Sequence, residues 1–159
     1  MQPGDAAAVA AIYNEGIASR QATLDPDPVS AEQVASWVTD DSTLVAERDG
    51  AVVGFVRVGP YSSRRVYAGV GECTVYVAGH ARRRGVGREL IEAACEEYER
   101  RDYWKLTGKL FTENEASAAL LRACGFRDVG VHLRHGRLDG RWRDVLVVER
   151  LLGEAAGGA

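Results

Sequence analysis

Apolar residues recur at helical spacing in four stretches of the chain and at strand spacing in most of the rest. Val9, Ile12, Tyr13 and Ile17 share one face of a run that opens at Asp5, which predicts a first helix with Asp5 as its N-cap. Beyond a loop over residues 22–28, Val34, Trp37 and Val38 mark a second helix over 30–38. Ser30 and Gln33 stand at capping-box spacing at its start. Leu90, Ile91, Ala94, Cys95 and Tyr98 line a longer helix that reaches Arg101, and its other face carries Glu96–Arg100 and Glu97–Arg101 pairs. A fourth helix begins at Asn114 or Glu115, passes through Ala119, Leu120 and Ala123, and closes near Gly125.

Strand patterns fill the gaps. Residues 43–47 and 52–58 flank Asp49-Gly50, a short-range hairpin signal, and Gly59-Pro60 is expected to break the second strand. Further strands are predicted over 71–77 and 105–111, and a closing pair over 129–138 and 142–152 is joined by Asp139-Gly140. The order is ααβββαβαββ, an α+β layout with one mixed central sheet flanked by helices and no internal repeat. One domain over residues 1–153 is expected, with 154–159 as a small-residue flexible tail.

Composition narrows the function. The 159 residues are 46% hydrophobic and 27% charged, with a net charge of -3, so nucleic acid is not an expected partner. No apolar run is long enough to span a bilayer, and the first residues lack signal-peptide form, so no membrane partner is expected. Cys73, Cys95 and Cys124 are scattered in apolar stretches and share no ligand spacing with His80, His132 and His135. Buried free thiols, a cytoplasmic setting and no metal are the expectation.

Local charge and glycine concentrate in one place. Arg82-Arg83-Arg84-Gly85-Val86-Gly87 stands between the apolar run Thr74-Val75-Tyr76-Val77 and the long helix. Free backbone N–H groups at a helix N-terminus, glycines that allow close approach and flanking cations together suit a pyrophosphate. A Walker loop is excluded because Arg88-Glu89 follows Gly87, and a dinucleotide turn is excluded because its third glycine is absent. The segment matches Arg/Gln-x-x-Gly-x-Gly/Ala and resembles the acyl-CoA loop of the GNAT superfamily of N-acetyltransferases. Ile12-Tyr13-Asn14, Gly59-Pro60-Tyr61, Glu72-Cys73-Thr74-Val75-Tyr76-Val77, Trp104-Lys105, Asn114 with Ser117, Gly125-Phe126 and Gly140-Arg141-Trp142-Arg143-Asp144 extend the likeness. Together they resemble the phosphinothricin and arsinothricin N-acetyltransferases.

The resemblance implies a GNAT fold, acetyl-CoA as co-substrate and a homodimer. It also implies a strand ahead of the first helix, for which only Met1 to Gly4 remain, so either that strand is missing or the start of the chain is incomplete. Backbone groups of Val75, Tyr76 and Val77 would meet the pantetheine arm, with the N–H of Val77 or Tyr76 polarising the thioester carbonyl. The loop from Arg82 through Arg83, Arg84, Gly85, Val86 and Gly87 to Arg88 would hold the pyrophosphate, and Asn114 and Ser117 would close on the pantetheine.

Glu72 is implied as the base, acting through water on the acceptor amine. Arg64 and Tyr67 would bind the acceptor's acidic end, because a guanidinium fork suits a carboxylate or phosphinate, and Thr74, on the strand face of Glu72, is a further expected contact. Leu24 stands where the family places an aromatic cover, and Leu121, which cannot donate a proton, stands where the family has its general acid. The implied reaction is acetyl transfer to the α-amine of a small acidic amino acid or toxic glutamate analogue. The alternatives are methionine sulfone or another amine as acceptor, or a non-catalytic acyl-CoA sensor. Arg64 argues against a polycationic acceptor.

Overall fold

In a computed structural model, which describes residues 1–39 and 42–157, both Asp-Gly pairs make tight hairpins. Asp49 (φ 52°) and Gly50 (φ 76°) turn β1 (Thr43–Arg48) into β2 (Ala51–Pro60). Asp139 (φ 48°) and Gly140 (φ 76°) turn β5 (Arg127–Leu138) into β6 (Arg141–Leu151). Positive φ at both central residues matches the twist of the paired strands. With β3 (Val70–Val77) and β4 (Lys105–Phe111) these strands form one six-stranded sheet in the order β1-β2-β3-β4-β6-β5. All pairs are antiparallel except β3 with β4.

Side-chain alternation along the strands sorts the helices. Phe55 of β2 stacks on Tyr76 of β3, and both meet Tyr13 of α1 (Ala6–Ser19), while Trp37 of α2 (Ala31–Thr39) leans on Phe55. The neighbouring Gly54 points the other way, towards Leu90 and Val86 of α3 (Val86–Arg100). α4 (Glu115–Ala123) lies on that second face, where Leu121 approaches Gly108 of β4. Val9, Val34, Ile91, Leu106 and Val148 are wholly buried between these layers. Inside the core, the Tyr98 hydroxyl of α3 donates towards the carbonyls of Ser42 (3.3 Å) and Val58 (3.2 Å), tying the helix to the β1 end of the sheet. Residues Glu154–Gly157 form a single turn, α5.

The capping box at α2 forms as expected: Ser30 N–H donates to Gln33 Oε1 (2.7 Å) and Gln33 N–H to Ser30 Oγ (3.2 Å). Val34 and Trp37 face the core, while the side chain of Val38 lies outside the described residues. Two expectations need correction. Asp5 stands at the N-cap position of α1, but its carboxylate accepts from Gln2 N–H (2.6 Å), closing the 3₁₀ turn Pro3–Asp5 rather than capping the helix. Pro60 does not break β2, which pairs Pro60 with Gly71. Val58 N–H donates to Ser42 on the β1 side, so the proline nitrogen two residues later points past the start of β1, where no ladder bond is owed. The chain enters α1 from that 3₁₀ turn, and the amino group of Met1 donates to the Thr43 carbonyl (3.3 Å).

Glu149 of β6 ties three strands together, accepting from Lys105 of β4 (2.8 Å) and pairing with Arg127 of β5. The Lys105 hydrogen bond, opposed by burial and aided by Arg127, holds its carboxyl below the usual range. A carboxyl held low contributes stability that is present above its unfolded pKa of about 4.3 and lost as pH falls through the folded value. Glu149→Gln should therefore lower Tm at pH 7 and shrink the loss of Tm between pH 7 and pH 3, as read by thermal melts at the two pH values. An unchanged loss would remove Glu149 from the acid transition.

Candidate active site

The site begins where a ladder ends. β3 and β4 are paired at only three positions: Val70↔Lys105, Gly71↔Leu106 and Glu72↔Thr107. The buried Thr107 hydroxyl donates to the Gly71 carbonyl (3.1 Å) at the last rungs. Beyond Glu72 the strands diverge, and a cleft of about 50 Å³ opens between them, lined by Cys73, Thr74 and Val75 on one side and Gly108, Lys109 and Leu110 on the other. Asn114, Ser117 and Leu121 of α4 complete one wall, and Ala22 and Tyr76 the opposite one.

The register decides which peptide groups face this opening. β3 exchanges bonds with β2 at Val70, which accepts from Tyr61 N–H, and at Ala78, which donates to Val53 (2.9 Å). By the alternation of an antiparallel ladder, Glu72, Thr74 and Tyr76 also turn their peptide groups to β2. Val75 and Val77 turn theirs to the divergent side. The expected participation of the Tyr76 peptide is thereby corrected: its N–H faces Phe55, its ring packs among aromatics, and its hydroxyl donates to the Ala22 carbonyl (3.3 Å). Burial pushes the Tyr76 phenol well above its ordinary pKa. A phenol held that high is a poor proton donor, as is Leu121.

At the open end of β3 the arginine-glycine segment makes a turn with two left-handed residues, Arg83 (φ 60°) and Gly85 (φ 85°). Gly85 caps α3, and its carbonyl accepts from Glu89 N–H (3.1 Å), which leaves the N–H groups of Val86, Gly87 and Arg88 at the helix mouth. Gly87 lies where α3 and α4 come together, since a Cβ there would stand 2.9 Å from Leu120 Cδ2. Val86 buries its side chain, so only its N–H can reach a ligand. Arg82 folds back to donate from Nε to the Val77 carbonyl (3.1 Å), and Arg88 pairs with Glu92 (2.7 Å). Arg83 and Arg84 are exposed, and no ion pair holds them among the described residues. The turn, the helix mouth and the Val75 and Val77 peptides therefore fit an extended, phosphorylated thioester such as acetyl-CoA.

Of the residues expected to meet the acceptor, only Thr74 lines the cleft. Glu72 and Thr74 share the face of β3 turned to α1 and α2, and Thr74 lines the cleft. Arg64 and Tyr67 stand on the β2–β3 loop, where the Arg64 guanidinium lies 5.6 Å from the Tyr67 ring centre and Tyr67 meets Tyr61 edge-on. Neither lines the cleft. Leu24 packs instead with Phe111, Leu138 and Val145, pressed against Gly136. Asn114 is used twice, its Oδ1 accepting from Ser117 N–H (3.1 Å) to cap α4 and its Nδ2 donating to the Gln21 carbonyl (3.1 Å).

Lys109 was missed, although strand alternation from Thr107 puts it on the Glu72 face. Its Nζ donates to Glu72 Oε2 at 2.7 Å. Glu72 Oε1 has no hydrogen-bond partner among the described residues and is the oxygen available to a water. The loop after α1 was also missed as a roof. Tyr76, Asn114 and Arg143 all reach its carbonyls, at Ala22, Gln21 and Arg20.

Comparison with known proteins fits this geometry. Residues 10–126 match the Acetyltransferase (GNAT) family. A phosphinothricin N-acetyltransferase from Alcaligenes faecalis is 32% identical over 93% of this chain and 78% of its own length. An L-methionine sulfoximine/L-methionine sulfone acetyltransferase from Salmonella typhimurium is 28% identical over 96% of this chain and 92% of its own. The solved structure of a phosphinothricin acetyltransferase from Sinorhizobium meliloti in complex with AcCoA superposes with a TM-score of 0.91 at 25% identity, covering all of this chain (100%) and 89% of the other. The chain belongs to the GNAT acetyltransferase family and is an acetyl-CoA-dependent N-acetyltransferase of the phosphinothricin type.

Asn114→Ala removes the α4 cap and the bond to Gln21 together. It should cost about 1 kcal/mol of stability through the cap and raise the KM for acetyl-CoA in steady-state assays. An unchanged KM would leave Asn114 with a structural role alone.

Proposed function

We propose that the protein transfers the acetyl group of acetyl-CoA to the α-amine of a small acidic amino acid or glutamate analogue of the phosphinothricin or arsinothricin type. The observation that carries this reading is Glu72 at the last rung of the β3–β4 ladder, next in sequence to the cleft-lining Cys73 and bonded to the cleft-lining Lys109. Acetyl-CoA supplies an activated thioester. The N–H groups of Val86, Gly87 and Arg88, with Arg83 and Arg84, bind its pyrophosphate. Val75 offers its peptide groups and Val77 its N–H to the pantetheine arm, the Val77 carbonyl being held by Arg82, and the Val77 N–H polarises the thioester carbonyl. Glu72, through a water on Oε1, takes the proton that an ammonium acceptor must lose before it attacks. No side chain is assigned to protonate the departing thiolate, whose pKa of about 8.5 lets it leave unaided. Arg64 and Tyr67 offer a fork and a hydroxyl to the acceptor's distal acid.

A second acceptor, methionine sulfone or its sulfoximine, is favoured by the relative that carries that name. Acetylation removes the charge of the amine, so the physiological result is detoxification and resistance. We place the enzyme in the cytoplasm, a reading supported by its three free buried thiols. The exposed Val129, Val131 and Leu133 of edge strand β5, with the exposed Trp142 of the adjoining β6, offer apolar surface to a second copy of the chain.

Incubation with acetyl-CoA and phosphinothricin, arsinothricin, glutamate, methionine sulfone or spermidine, followed by free-thiol release, should show turnover with the acidic analogues and none with spermidine. Thiol release with none of them, despite acetyl-CoA binding, would refute the acceptor reading. Glu72→Gln should lower kcat by about 10²–10⁴-fold with little change in acetyl-CoA affinity; equal loss of both would remove it as base. In sedimentation velocity, Val131→Glu with Leu133→Glu should convert a dimer to monomer, and a monomeric wild type would end the dimer reading.

A further inference from the structure

On stability grounds, the ion pair with Glu72 accounts poorly for the position of Lys109. Its side chain is 40% exposed and that of Glu72 32% exposed, and an ion pair so open to water contributes little to stability. Yet Lys109 lines the cleft, and its ammonium sits 2.7 Å from the carboxylate that has to receive the acceptor's amine. Register explains the meeting. Glu72 is opposite Thr107, and Lys109, two residues further, shares the same face on the divergent part of β4. The other cations on this face are directed elsewhere. Arg57 stands 4.9 Å from the Trp37 ring centre and donates to Ser42 Oγ (3.2 Å). Arg143 lies over Phe111 and pairs with Glu113 (3.2 Å).

We propose that Glu72 and Lys109 together form a receptor for the zwitterionic head of an α-amino acid, with the acceptor's ammonium going to Glu72 and its α-carboxylate to Lys109. An amino-acid head carries two opposite charges on neighbouring groups, and this pair offers the two complementary charges side by side, 2.7 Å apart. Because the pair is partly hydrated, each partner can exchange the other for the matching charge of the substrate without leaving a buried charge unpaired. The arrangement gives the site a requirement that Arg64 and Tyr67 do not supply. They stand outside the cleft, on the β2–β3 loop, and are free to read the distal acid of the side chain. Lys109 reads the carboxylate that all α-amino acids share and that simple amines and polyamines lack. Lys109 is thus a specificity-determining residue for the class of acceptor, whichever side chain the acceptor carries. This inference rests on the proposed acetyl transfer to an amino-acid amine.

The test compares each acceptor acid, phosphinothricin and L-methionine sulfone, with its α-carboxamide in the wild type and in Lys109→Met. Methionine keeps the length of the side chain and removes its charge. The wild type should prefer the acid by roughly tenfold or more in kcat/KM, the worth of one charge-assisted hydrogen bond. In Lys109→Met the preference should shrink to about twofold or less, mainly through KM, and Lys109→Arg should restore part of it. The acid-to-amide ratio is internal to each variant, so partial misfolding or a change in Glu72 as base cancels from it. Acetyl transfer with the same ratio in wild type and Lys109→Met would overturn this inference and leave the acetyl-transfer reading standing. Transfer to neither acid nor amide, with acetyl-CoA bound, would overturn that reading and this inference with it.

Discussion

The molecule depends on a hydrogen-bond ladder that stops early. A parallel pair held at three rungs cannot keep two strands together over their length, so β3 and β4 separate while each stays bound to its outer neighbour. Peptide groups that would be costly to bury unpaired are left facing a cleft, and the low cost of leaving them there depends on water or a ligand accepting the role of the missing strand. The pantetheine arm, a chain with its own amides, has the chemistry of such a strand. Glu72 stands at the fork, the last paired residue on its side, and its carboxylate meets Lys109 from the divergent part of β4.

The walls of the opening come from elements far apart in sequence. α4 is capped by Asn114, and the same amide holds the carbonyl of Gln21 in the loop that follows α1. Arg143, from β6, holds the next carbonyl back. One side chain, that of Asn114, therefore fastens α4, at one wall of the cleft, to the loop after α1.

Much of the fold was legible because it is locally encoded. Asp-Gly pairs force positive φ, Ser30 and Gln33 satisfy each other across one turn, and the apolar periods of α1 and α3 are long enough to be unambiguous. The arginine-glycine turn was legible for the same reason. What the sequence did not show depends on partners supplied by the sheet. Asp5 was misread because a carboxylate three residues from Gln2 can close the turn before the helix as well as cap the helix itself. Pro60 was misread because the harm done by a missing N–H depends on whether a neighbour strand extends that far. Lys109 was invisible as a site residue because nothing in residues 105–111 says that Glu72 lies across from Thr107. Arg64, Tyr67 and Leu24 were picked by likeness, and of these three none lines the cleft.

The outer strand carries a further consequence. β5 presents its free edge to solvent over twelve residues, a length that invites open-ended strand addition. Its register with β6 shifts between Asp128 and Gly130 and again between His132 and Gly136. In the second shift Arg134 adopts a positive φ of 50° and gives its N–H to the Asp144 carboxylate (2.7 Å). The row of free edge groups is broken before it is long enough to template a foreign strand. Growth of the sheet from molecule to molecule is thus stopped by the backbone itself, while the apolar side chains on the flat of β5 stay available for a contact that closes.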